Sequence, residues 1–172
     1  MTFTLPQNQT LDSLRLLGKA YDYKVEEYER LRDHLDDKSE LSRSELKDFV
    51  AWKSNRSITY ASRNSDHAVR SVTAAAFAVE EPMLAIRLLR CLNGIRVSVA
   101  SAILAFVMPN NHAVIDQHTL RALGVKDLKP GQLRVSHYEQ YLSFLKRERG
   151  NLTLRELEQG LFMWSRTKMG KL

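Results

Sequence analysis

Glycine and proline are scarce, with seven and four in 172 residues, and cysteine occurs once. With so few turn-forming residues, and with Ala, Leu, Arg and Glu recurring at spacings of three and four, the chain reads as all-helical rather than as a sandwich or barrel. The single thiol, Cys91, excludes an intramolecular disulfide, and it cannot build an iron–sulfur cluster or a Cys-rich zinc site from this chain alone. Its apolar neighbours predict a buried, structural thiol. Long apolar runs are missing too: "VTAAAFAV" stops at Glu80 and Glu81, and "VSVASAILAFVM" stops at Pro109, so neither reaches spanning length. The opening "MTFTLPQNQT" has no basic stretch followed by an apolar one, which predicts no signal peptide and a cytoplasmic location.

What is present is enough apolar material, 44% of residues, for the core of one medium domain spanning 1–172. The formal net charge of +6 is unevenly placed. Residues 1 to 82 carry a net −2 and residues 83 to 172 a net +8. A field of that sign attracts polyanions and makes their binding salt-dependent, although a basic face without a partner has the same composition.

Periodicity places a first long helix from about Thr10 to Leu35, with Leu11, Leu14, Leu17, Tyr21, Val25, Tyr28 and Leu31 on one face. The polar break "DDKSELSRS" offers Ser42 or Ser44 as the cap of a second helix through "ELKDFVAWKSNR". "SITYASRNSD" reads as a turn-rich crossing before the helix "HAVRSVTAAAFAVEE". Pro82 suits the first turn of the next helix, which must stop at Asn93-Gly94. A helix from about Val97 to Val107 follows at once. Pro109 and Asn110-Asn111 end it, "HAVI" is an extended approach, and Asp116 caps "QHTLRALG", closed by Gly124. "DLKPGQ" is a loop, and "SHYEQYLSFLKRER" and "LRELEQGLFMWSRTK", the latter capped by Thr153, are the last two helices.

Two helices joined by a short glycine turn leave the second helix with unpaired amides at its positive end, a site suited to phosphate. Many ordinary helical corners share that outline. "LNGIRVSVASAILAF" followed by "AVIDQHTLRALG" resembles the helix-hairpin-helix Gly-Pro-Asp superfamily of DNA glycosylases, of the endonuclease III type. There a hairpin L-P-G-V-G precedes an apolar helix, a loop, and a catalytic aspartate in a context like V-D-T-H-V. Leu92, Gly94, Ile95, Ala100, Asp116, His118, Arg121, Leu123 and Gly124 fall in the corresponding order, and the likeness covers about Met83 to Gly124. The chain departs from the pattern in four places. Arg96 replaces the second hairpin glycine, Asn93 the proline, and the loop has Pro109 but no glycine. Ser98 stands where the members that also cut the backbone carry a nucleophilic lysine.

The resemblance implies a compact, two-lobed, all-α protein acting on double-stranded DNA, nucleoid-associated if bacterial. It implies a monofunctional glycosylase that hydrolyses the N-glycosidic bond of a damaged or mismatched base. No cofactor is expected, since the single cysteine excludes an iron–sulfur cluster, and a monovalent cation at the hairpin is allowed. Asp116 is the candidate catalytic residue, stabilising positive charge on the sugar, and a cap role is compatible with it. Leu92, Asn93, Gly94, Ile95, Arg96, Ser98, His118 and Arg121 are the candidate DNA-binding residues. Trp52, Lys53, Asn55, Arg56 and His112 are candidates for the base pocket or the wedge that replaces an extruded base. Trp52 suits core packing equally, and Lys53 is the amine available if imine chemistry occurs. His112 and His118 flank Asp116 but make an incomplete metal-ligand set. Arg87, Arg90 and Lys126 are supplementary cations, and Trp164 belongs to a packing stripe with Leu157, Leu161 and Phe162. The alternatives are a non-catalytic DNA-binding or lesion-recognition module, and an interaction protein that keeps only the scaffold.

Overall fold

The helical spacing is realised along the whole chain. The computed structural model describes residues 1–22, 24–35 and 38–169, and it is all-helical, with no strand among those residues. The helix expected over Thr10 to Leu35 is two helices, α1 (Leu11–Lys19) and α2 (Val25–Leu35). Between them Lys24 takes a left-handed backbone conformation, φ +49°, and Tyr21 turns into a cleft. Apolar spacing runs through this break because both helices bury their apolar residues, so the pattern alone does not reveal it.

Local caps set most of the other boundaries. Ser42 opens α3 (Arg43–Lys53) in a reciprocal box with Glu45. The crossing after it holds a 3-10 turn at Asn55–Ser57 and the short α4 (Ile58–Ala61). Ser65 caps α5 (Asp66–Ala78), and Glu81 caps α6 (Pro82–Leu89) with Pro82 in its first turn. α6 stops at Leu89, earlier than Asn93-Gly94, because successive tight turns at Arg90, Cys91 and Leu92 take over from the helical ladder. Those turns send Leu92 inward and leave Cys91 exposed, correcting the expectation of a buried thiol. α7 runs Val97–Val107 as the spacing predicts, followed by α8 (Gln117–Ala122), α9 (Val135–Glu148) and α10 (Leu154–Met169).

α7 is the axis of the core, with Val99 through Phe106 all buried. It packs against α2, α3 and α6; α9 packs on α6 and α10, and α8 packs on α10. The buried apolar residues form one cluster running from Leu14 to Leu161, so the expected two-lobed arrangement has no break in its core. Each fully buried Leu or Ile in it contributes roughly 1.5–3 kcal/mol relative to exposure. α1 lies along α10 at very short range. A β-carbon on Gly160 would sit 2.2 Å from the Leu14 carbonyl oxygen, so only glycine permits this crossing.

Candidate active site

The segment leading to Asp116 has no strand partner, and side chains satisfy its backbone instead. Tyr141 donates its hydroxyl to the Val114 carbonyl at 2.8 Å, the Ile115 amide donates to Ser101 Oγ at 3.1 Å, and the Ala113 amide donates to Tyr138 Oη at 3.4 Å. All three of these anchoring side chains are completely buried. The approach is therefore rigid where it delivers Asp116, in keeping with the rule that buried backbone groups find partners.

Asp116 then caps α8. Its Oδ1 accepts the His118 and Thr119 amides, each at 3.0 Å, and Thr119 Oγ1 accepts the Asp116 amide at 2.9 Å. The other oxygen, Oδ2, accepts Lys53 Nζ at 3.0 Å across 63 residues of sequence. Both side chains are largely buried, 15% and 13% exposed. Burial alone would raise the Asp116 pKa, but the Lys53 ammonium and the α8 amides outweigh it and hold the carboxyl below its ordinary value. Asp116 is thus an ionised carboxylate fixed in position.

The α6–α7 corner sits opposite. Gly94 has φ +80°, and a β-carbon there would meet the Ala61 amide at 2.8 Å and the Ser57 carbonyl at 2.9 Å. Asn64 bolts the same corner down. Its Oδ1 accepts the Asn93 amide at 2.8 Å and its Nδ2 donates to the Asn93 carbonyl at 3.0 Å. Arg96 stands at the second glycine of the resembled hairpin with φ −98° and ψ 172°, extended backbone open to any residue. The substitution therefore leaves the turn unstrained. α7 begins without an accepting side chain, whereas Thr10, Ser42, Ser65, Glu81 and Asp116 cap α1, α3, α5, α6 and α8.

One cleft of about 1170 Å³ joins the two parts. It contains Asp116, Lys53, Trp52, Arg56 and His118 together with Leu92, Asn93, Gly94, Ile95, Arg96 and Ser98. Arg90 also lines it, and so do Tyr21, Arg155, Glu158, Phe162 and Arg166. Six Lys and Arg side chains face two carboxylates there, a balance that favours a polyanion. Trp52 is 6% exposed and packs on Phe49, Tyr28 and Phe106, so its core role and its place in the cleft wall coexist.

Three candidate residues lie elsewhere. His112 is 1% exposed, with Nδ1 3.1 Å from the Tyr138 hydroxyl, and burial pushes its pKa down to about 4. It braces the approach segment and does not line the cleft. Asn55 is exposed and Arg121 half-buried, and neither lines the cleft. His118 does line it, but its ring lies tilted against Phe162 with Nδ1 3.3 Å from Ser165 Oγ, and its hydrogen bond to Asp116 comes from its backbone amide. The two histidines thus serve different partners.

The residues that the sequence left unmarked are Asn64, Tyr138, Tyr141 and the α10 group. Arg155 binds Glu158 on the same helix, one turn on, and its guanidinium lies over the rings of Tyr28 and Tyr21, 4.9 and 5.6 Å from their centroids. Glu158 is 2% exposed, and burial raises its pKa against the pull of Arg155. A sequence signal existed: position 158 falls between Leu154 and Leu161 on the buried face, where a charge is unusual. Comparison with family models, with curated proteins and with solved structures finds no match to this chain.

Proposed function

We propose that the chain is a DNA N-glycosylase-like protein that removes a damaged or mismatched base by hydrolysis. The observation that carries this reading is the single basic cleft in which the rigid, ionised Asp116 faces the α6–α7 corner. Phosphate binds at the uncapped start of α7, with Arg96 and Arg90 beside it. A base turned out of the duplex enters the cleft. As the glycosidic bond breaks, positive charge grows on the sugar, and Asp116 stabilises it and orients the attacking water. Lys53 holds the carboxylate in place and keeps it ionised.

Ser98 cannot form an imine, which supports a monofunctional reaction. Incubation with substrate and borohydride accordingly gives no covalent protein–DNA adduct. An adduct that disappears in Lys53→Gln would instead make Lys53 the nucleophile, since its amine already lies beside Asp116. The decisive test is Asp116→Asn against a panel of duplexes with single damaged bases. Base release is lost and duplex binding is kept. Full activity in the variant refutes the assignment.

A second reading has its own support. All of the Asp116 contacts are those of a cap and an ion pair, which is equally what a non-catalytic DNA-binding module requires. That reading expects salt-sensitive duplex binding with no abasic product from any member of the panel.

A further inference from the structure

Four large apolar side chains stand well out of the surface among the described residues, Met1, Leu16, Tyr60 and Leu84, and of these only Tyr60 lines the cleft. It is 54% exposed and is the one aromatic of the four. An isolated exposed ring carries no meaning by itself, and its surroundings decide what it does.

Tyr60 belongs to the seat of the α6–α7 corner. A β-carbon on Gly94 would stand 3.1 Å from Tyr60 Cβ, and Asn64 ties the same segment to Asn93 through two hydrogen bonds. The root of the side chain is therefore fixed next to the turn that leads into α7. The Arg63 guanidinium lies over the Tyr60 ring, 5.1 Å from its centroid, which restrains the ring and sets a cation against it. Arg56, Arg90 and Arg96 are exposed and line the cleft together with Tyr60. Cations that follow phosphates and an aromatic face on which a base stacks are the two ingredients of a track for single-stranded nucleic acid. A polyanion without bases would use only the first. A fully paired duplex also leaves the ring unused, because each base in it is covered on both faces by its neighbours.

We infer that Tyr60 is a stacking step for an unpaired base, so that a single strand passes from the α7 corner over Tyr60 with its phosphates on Arg56, Arg90 and Arg96. Arg63 backs the ring on its other side. The residues singled out from the sequence do not supply this surface: Trp52 is buried, and Asn55 and His112 lie outside the cleft. The inference rests on the nucleic-acid reading of the cleft but not on base removal there.

The test uses the intact protein and two labelled single strands of equal length, oligothymidylate and the same backbone with an abasic residue at every position. Fluorescence anisotropy at several salt concentrations follows binding. Oligothymidylate is expected to bind about fivefold or more tighter, the lower end of what one stacked base contributes. Tyr60→Ala removes most of that preference and leaves the affinity and salt slope of the abasic strand unchanged, and Tyr60→Trp keeps the preference. Melting curves check that the variants are folded. Should Tyr60→Ala unfold, Tyr60→Leu, which keeps an apolar stem without the ring, decides in the same way. No binding of either strand, equal binding of both by the wild type, a preference unchanged in Tyr60→Ala, a preference lost in Tyr60→Trp, or an equal loss for both strands each overturns the inference. Base release from damaged duplexes without an oligothymidylate preference removes the stacking step and keeps the glycosylase reading. A preference that depends on Tyr60, with no base released from any duplex, does the reverse.

Discussion

Two buried ion pairs share the cleft, and they are built differently. Lys53–Asp116 joins the end of α3 to the start of α8 across most of the fold, and backbone amides share the carboxylate. Arg155–Glu158 is local to α10, and its guanidinium keeps one buried donor unused. The first is a closed arrangement in which each charge is answered by the protein. The second is open. A buried charge with every contact met fixes geometry, and one with a contact unmet costs stability.

The comparison breaks most visibly if one partner of the open pair is removed. Arg155→Met leaves Glu158 buried without its cation and is expected to cost roughly 3–5 kcal/mol, whereas Arg155→Met with Glu158→Leu returns most of that stability. Chemical denaturation of the single and double variants measures the difference. At the closed pair Asp116→Asn keeps an acceptor for the α8 amides but leaves the largely buried Lys53 without its carboxylate, so stability is expected to fall by up to roughly 3–5 kcal/mol. On the glycosylase proposal, base release by the folded variant is expected to drop by about 100- to 1000-fold or more in single-turnover assays. The folded pKa of Asp116 is depressed, so the ionised carboxylate stabilises the fold above the ordinary aspartate range. That contribution is lost as pH falls through the lower folded value, and Asp116→Asn should flatten this acid limb.

His112 is the contrasting case, a buried polar group that gives up its charge. Its pKa falls from 6.5 to about 4 on folding. The unfolded chain therefore binds a proton that the folded chain refuses, and stability declines as pH drops from about 6.5 toward 4. The total is about 3 kcal/mol, absent in His112→Gln, by melting curves across that range. The smallest effect belongs to the rim. Arg96→Gly removes one exposed cation and should weaken duplex binding a few-fold, with the salt slope reduced by about 1.

Legibility in the sequence followed how local the cause was. Ser42, Ser65, Glu81 and Asp116 act within one turn of their helices, and α7 begins and ends where its spacing predicts. Gly94 and Asp116 could be singled out because their residue types suit a turn and a cap. That they share a cleft could not be read, because it depends on how α3, α7, α8 and α10 pack. The break before α2 at Lys24 comes from the fold and not from a breaker residue. His112 looked like a loop residue until Tyr138, on α9, was seen to bury it. Glu158 resembles its neighbour Glu156 in composition, yet one is buried and the other half-exposed. Only its position on the apolar face of α10 separates them.

The close crossing of Gly160 on Leu14 bears on the order in which the molecule is completed. α1 cannot take its place until α10 exists, and α10 follows every other helix described in the chain. During synthesis, which runs at roughly 5–20 residues per second, the Lys53–Asp116 pair therefore has all its parts many residues before Arg155, Glu158 and Phe162 emerge. A nascent chain would hold Lys53 and Asp116 before the α10 side of the cleft existed, and α1 would dock only once Gly160 had emerged.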